Sequence, residues 1–127
     1  MAGAYTIVTF YHHTSLEGMK LIAQSGYIKK STDVTTDAKC GPGVYLTNLS
    51  ASCPVPVVLS NNYGSAGTHM MDRAEATVAL DLPNNMVTTC LLGERVVYTV
   101  PEDILLKDIN HRFYVRCEDG TPKRVYL

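Results

Sequence analysis

The chain reads as an α+β domain, mostly antiparallel, with two packed sheets and a cleft between them. Three observations predict this. A single segment carries helical periodicity with a start and a stop signal. Seven or eight short runs are rich in β-branched and aromatic residues. An Asp-Gly pair, Asp119-Gly120, sits between the last two runs, as a hairpin requires.

The elements follow in order. Tyr5 to Tyr11 is a strand by composition, and it ends in His12, His13, Thr14 and Ser15. Leu16 to Ser25 is the one main helix, with Leu16, Met19, Ile22 and Ala23 on one face. Ser15 or Thr14 caps its start, because a hydroxyl accepts from the free N–H groups there. Gly26 ends it, since glycine tolerates the left-handed backbone of a helix end. Ser31 to Asp37 is polar and reads as a loop. Gly41-Pro42-Gly43 is a tight turn before the short strand Val44–Thr47. Ser50 to Thr68 reads as a long loop, with Val55–Leu59 as a short edge strand around Pro56. Ala74–Leu82 alternates, with Val78, Leu80 and Leu82 on one face and Thr77, Ala79 and Asp81 on the other. Pro83-Asn84-Asn85 turns the chain into a strand over Val87–Leu92. Gly93-Glu94 then precedes a strand over Arg95–Val100. Ile104–Leu106 is a short strand or a helical turn. Phe113–Cys117 and Arg124–Leu127 form the last hairpin.

The bulk properties bound the function. At 127 residues the chain is most simply one domain over residues 1–127. Apolar residues are 46% and charged residues 18%, a globular balance rather than a disordered one. A net charge of −1 provides no global attraction for nucleic acid or anionic membrane. No apolar run is long enough to cross a bilayer. Residues 1–4 lack a basic start, so no signal peptide is expected and a cytoplasmic location is, although a delivered effector would look the same. A monomer is expected. Cys40, Cys53, Cys90 and Cys117 include no Cys-x-x-Cys pair, so no metal site is expected. Reduced thiols are the expectation, with two disulfides possible in an extracellular setting.

Three segments resemble the ADP-ribosyltransferase superfamily. Tyr11-His12-His13-Thr14, the helix with Gly18, and Gly26-Tyr27-Ile28-Lys29 are similar to the opening of diphtheria-toxin-type members. Gly41-Pro42-Gly43-Val44-Tyr45-Leu46-Thr47 resembles the Gly-x-Gly-x-Tyr-Phe segment of poly(ADP-ribose) polymerases, and Ser50-Ala51-Ser52 resembles its serine-rich continuation. Glu94-Arg95-Val96-Val97-Tyr98 is similar to the strand that carries their catalytic glutamate. The order is the family's, over residues 10 to 100. The nearest subgroup is the small ADP-ribosyltransferases with a His-Tyr-Asp signature. The resemblance implies a split β-sandwich, NAD as substrate, and release of nicotinamide with transfer of ADP-ribose to a protein or nucleic-acid acceptor or to water.

The chemistry accounts for the residue types. Breaking the bond between nicotinamide and ribose develops an oxocarbenium-like cation. The resemblance implies that His12 hydrogen-bonds a ribose hydroxyl and that the His13 backbone grips the carboxamide. His13 stands where the family commonly has glycine, so its side chain must point away from the cleft. Tyr45 would lay its ring on the cationic nicotinamide, with Gly43 in the same cofactor-binding segment. Glu94 would stabilise the cation and activate the nucleophile. Asp81 is its rival, because the subgroup's signature ends in Asp; Asp103 is a third candidate. Thr14 has two readings, ribose contact and helix cap. Each residue also has a plain structural reading: a satisfied histidine, a core aromatic, a solvated charge.

A catalytically inactive nucleotide- or protein-binding module of the same fold is the alternative. An RNA-processing transferase of related fold ranks last, because its arginines (Arg73, Arg95, Arg112, Arg116, Arg124) are few. Acceptor choice is assigned to the Ser31–Lys39 and Ser50–Thr68 loops.

Overall fold

The computed structural model describes residues 5–32, 40–64 and 71–127. The described strands are β1 (Ile7–Thr14), β2 (Tyr27–Ile28), β3 (Val44–Leu46), β4 (Ala76–Pro83), β5 (Thr88–Leu92), β6 (Arg95–Val100), β7 (Ile104–Leu105), β8 (His111–Arg116) and β9 (Pro122–Val125). The described helices are α1 (Leu16–Ser25) and α2 (Val55–Tyr63). Among the described residues the class is α+β and every ladder is antiparallel, in three sheets ordered β1-β4-β8-β9, β3-β6-β5 and β2-β7. Two sheets and one main helix were expected; the ribbon β2-β7 and the helix α2 are additional.

Helix α1 matches its sequence signals. Ser15 Oγ accepts from the Gly18 N–H at 3.0 Å, and Gly26 takes the left-handed conformation at φ 80°. Ser15, not Thr14, is therefore the cap. Met19 and Ile22 are buried, while Leu16 is exposed at the helix entrance rather than on the packed face. Gly18 lets the helix lie on the end of β1, since a methyl there would overlap the Thr14 hydroxyl.

Strand β4 is the centre of the core. Val78, Leu80 and Leu82 are fully buried against Phe10, Met19, Ile22, Leu46 and Phe113. Each such side chain contributes roughly 1.5–3 kcal/mol by leaving water. Thr77 and Ala79, on the other face, are buried as well.

Val55–Leu59 is helical, not an edge strand. Pro56 lies in the first turn of α2, where its missing N–H has no partner to lose. Val58 and Leu59 are buried against Ala74, with Leu49, Cys53, Val55 and Tyr63 around them. That burial outweighs the weak helix preference of valine.

Cys40 and Cys90 form a disulfide with a Cα–Cα distance of 6.3 Å, which corrects the expectation of four reduced thiols. Cys90 points from β5 to the face from which Tyr45 leaves β3, and the Gly41 turn brings Cys40 there. Cys53 and Cys117 are free. Residues 1–4, Asp33–Lys39 in the first proposed acceptor loop, and Ser65–Thr68 in the second lie outside the described residues. Among the described residues no helix is long and apolar enough to cross a membrane.

Candidate functional site

The site lies where two sheets meet and part. Strand β1 is the edge of its sheet, and one bridge, Tyr11 to Thr47, joins it to the other sheet. Tyr11 N–H donates to Thr47 O at 2.8 Å, and Thr47 N–H returns the bond at 2.9 Å. Strand β3 then pairs with β6, Tyr45 opposite Thr99 and Leu46 opposite Tyr98. The three strands carrying the resembling motifs are therefore lateral neighbours in the order β1, β3, β6.

Successive side chains of β1 take opposite faces. His12 shares a face with Phe10, which packs on Tyr98 with ring centroids 5.1 Å apart. Its Nδ1 lies 3.0 Å from Tyr45 O. A carbonyl only accepts, so Nδ1 carries the proton and Nε2 is an acceptor. Burial lowers the His12 pKa, keeping the ring neutral, against a smaller opposing effect of the Tyr45 bond.

His13 leaves the other face and is a satisfied core histidine. Its Nε2–H donates to Leu49 O at 2.8 Å, and the Thr77 hydroxyl donates to its Nδ1 at 2.9 Å. Burial pushes its pKa down to about 4. The alternation that aims the Tyr11 N–H and C=O at Thr47 aims those of His13 at the same open edge. Among the described residues no main-chain group takes them.

Tyr45 is half-buried. Its hydroxyl donates to Gly41 O at 2.8 Å and accepts from the Cys40 N–H at 2.5 Å, so the phenol is tied to its own turn. Burial raises its pKa. Its side chain leaves the face opposite the core residues Val44 and Leu46. Gly43 bonds main chain to main chain with Ser31 and presses on β6; a methyl there would stand 2.9 Å from Val100 O. Thr14 packs under Gly18.

The carboxylates are placed apart from one another. Asp81 shares a face with Thr9, Arg112 and His13, opposite the face of His12. Arg112 Nη2 and Nη1 donate to it at 3.1 and 3.2 Å, and Thr9 Oγ1 at 2.7 Å. Those bonds, Arg112's first, hold its carboxyl below the usual range. Asp103 Oδ1 accepts from the Lys30 N–H at 2.8 Å, a loop-closing role. Glu94 is exposed in the two-residue turn between Leu92 and Arg95. It precedes Thr99, the partner of Tyr45, by five residues, about 16 Å along a strand. Thus the His12 ring meets the main-chain oxygen of Tyr45, whose phenol leaves the opposite face; the His13 main chain lies on the open edge of β1, and Glu94 stands at the far end of β6.

Asn61 of α2 escaped the sequence reading. Its Nδ2 donates to Val96 O at 2.8 Å and more weakly to Thr47 Oγ1 at 3.4 Å, while the Val96 N–H donates to its Oδ1 at 3.3 Å. A helical reading would have found it, since it follows buried Val58 by three and so shares that face. Among the described residues no group of His, Cys, Asp and Glu could hold a metal. Protein-family models, curated proteins and solved structures were all compared with the chain, and none matches.

Proposed function

We propose that this chain is an ADP-ribosyltransferase-like split β-sandwich that cleaves the nicotinamide–ribose bond of NAD and transfers ADP-ribose to a macromolecular acceptor or water. The observation that carries the reading is the adjacency of β1, β3 and β6, which bear the three motifs in the family's order. In this reading the open edge of β1 at His13 receives the carboxamide as an added strand would. His12 Nε2 accepts from a ribose hydroxyl. The Tyr45 ring, steadied through its hydroxyl, packs on nicotinamide. The glycosidic C–N bond breaks with its electron pair going to nicotinamide, and the acceptor's lone pair closes on the ribose carbon. Glu94 stabilises the cation and takes the acceptor's proton.

The exposed position of Glu94 favours a second reading, a module that binds NAD without turning it over. Incubation with NAD labelled in the nicotinamide ring separates the two. Released nicotinamide that falls sharply, to a small measurable residue, in Glu94→Gln, with NAD binding retained, supports the transferase. Binding without release supports the module, and neither binding nor release removes both.

A further inference from the structure

We propose that Asn61 is a positioning residue for the Glu94 carboxylate, holding the start of β6 in place of a missing strand; this rests on the transferase reading above. The argument starts from the length of β3. That strand ends at Leu46, opposite Tyr98, while β6 runs back to Arg95. Backbone groups of alternate residues face the same neighbour, so Val96, like Tyr98, presents its N–H and C=O toward the β3 side. Beyond Leu46 no β3 residue takes them.

The Asn61 side chain does so. Its amide carries one acceptor and one donor group in the spacing of a peptide unit. The donor reaches Val96 O and the acceptor takes the Val96 N–H, the exchange a paired strand residue would make. The weaker bond to Thr47 ties the same amide to the residue just after β3, and Thr47 is the residue bridged to Tyr11 of β1. Arg95 Nη1 adds a long contact to Asn61 O at 3.4 Å. One side chain thus ties the start of β6 to the residue that follows β3, which is itself bridged to β1.

Glu94 is two residues before Val96. On its other side stands Gly93 at φ 66°, a turn residue that lends no stiffness. Strand β5 holds one flank of the turn and Asn61 the other. Without Asn61 the first residues of β6 are paired on one side only, and the carboxylate loses a fixed direction. Displacements of about 1 Å at a reacting centre lower rates by about 100-fold.

The test is a double-mutant cycle on nicotinamide release, with NAD affinity measured separately by calorimetry. Asn61→Ala should lower kcat by about 100-fold and leave the NAD dissociation constant within about threefold. In the Glu94→Gln background the same change should lower kcat by less than twofold, because the group it positions is already gone. If the alanine variant does not fold, Asn61→Asp, of equal size and without the donor, carries the same comparison. An equal loss in both backgrounds, or no loss in either, overturns the proposal while leaving the transferase reading standing. A wild-type chain that releases no nicotinamide removes the reading and this proposal together.

Discussion

The imidazole of His12 meets Tyr45 at its main-chain oxygen, 3.0 Å away, while the Tyr45 hydroxyl is held by the Gly41 turn on the other face of the strand. The contact fixes the tautomer of His12 rather than its partnership with the phenol. With Nδ1 protonated, Nε2 accepts only, and it suits a hydroxyl donor such as a ribose OH. His12→Ala should weaken NAD binding about tenfold, the worth of one neutral hydrogen bond. Burial lowers the His12 pKa below 6.5, so the acceptor survives there. NAD affinity measured by calorimetry should fall as acid protonates the ring, with its midpoint below pH 6.5. A midpoint at or above pH 6.5 would show that this imidazole is not the buried ring that binds NAD.

Asp81 is engaged by Arg112 and Thr9 on the face away from His12. Asp81→Asn should therefore leave nicotinamide release within about twofold of wild type, since the group is outside the reacting geometry. The pair is partly exposed, so its removal should lower stability by only about 1 kcal/mol in urea titration. A loss of release with unchanged stability would transfer the carboxylate role from Glu94 to Asp81.

The difference between what was legible in the chain and what was not follows the range of the forces involved. Helix α1 was legible to the residue because Ser15 and Gly26 act locally. The core face of β4 was legible because alternation is a local signal. Helix α2 was not, because Val55-Pro56-Val57-Val58-Leu59 has a strand's composition and becomes helical by packing on Ala74, which is distant in sequence. The His12 and Tyr45 segments resemble family motifs in the sequence, but their contact through a carbonyl depends on the bridge between Tyr11 and Thr47. The place of Glu94 depends on the register of β3 on β6, which no spacing within β6 reveals.

His13 makes stability depend on pH. Its folded pKa is about 4 and its ordinary value 6.5, so between these the unfolded chain binds the extra proton. Stability should be fully present above pH 6.5 and fall as pH drops toward 4, by roughly 3 kcal/mol for a shift of this size. His12, also lowered, acts in the same direction. Urea unfolding at pH 7, 6 and 5 reads the slope. His13→Gln, which keeps a donor for Leu49 O and an acceptor for Thr77, should flatten it. An unchanged slope in that variant would assign the dependence elsewhere.

The Cys40–Cys90 disulfide closes a loop across a separation of 50 residues and anchors the turn whose Cys40 N–H and Gly41 O hold the Tyr45 hydroxyl. Thiol titration of the unfolded, unreduced protein should find two reactive groups, Cys53 and Cys117, and four after treatment with a dithiol. Reduction, or Cys90→Ser, frees the unfolded chain from the cross-link and should lower stability by roughly 2–4 kcal/mol. It also releases the turn, so the Tyr45 ring loses its fixed position. NAD affinity should then fall in Cys90→Ser at temperatures where the protein is still folded, whereas Cys117→Ser, at an exposed free thiol, should change neither stability nor affinity. Four reactive thiols without reduction would show Cys40 and Cys90 unlinked and leave the Tyr45 turn held by its hydrogen bonds alone.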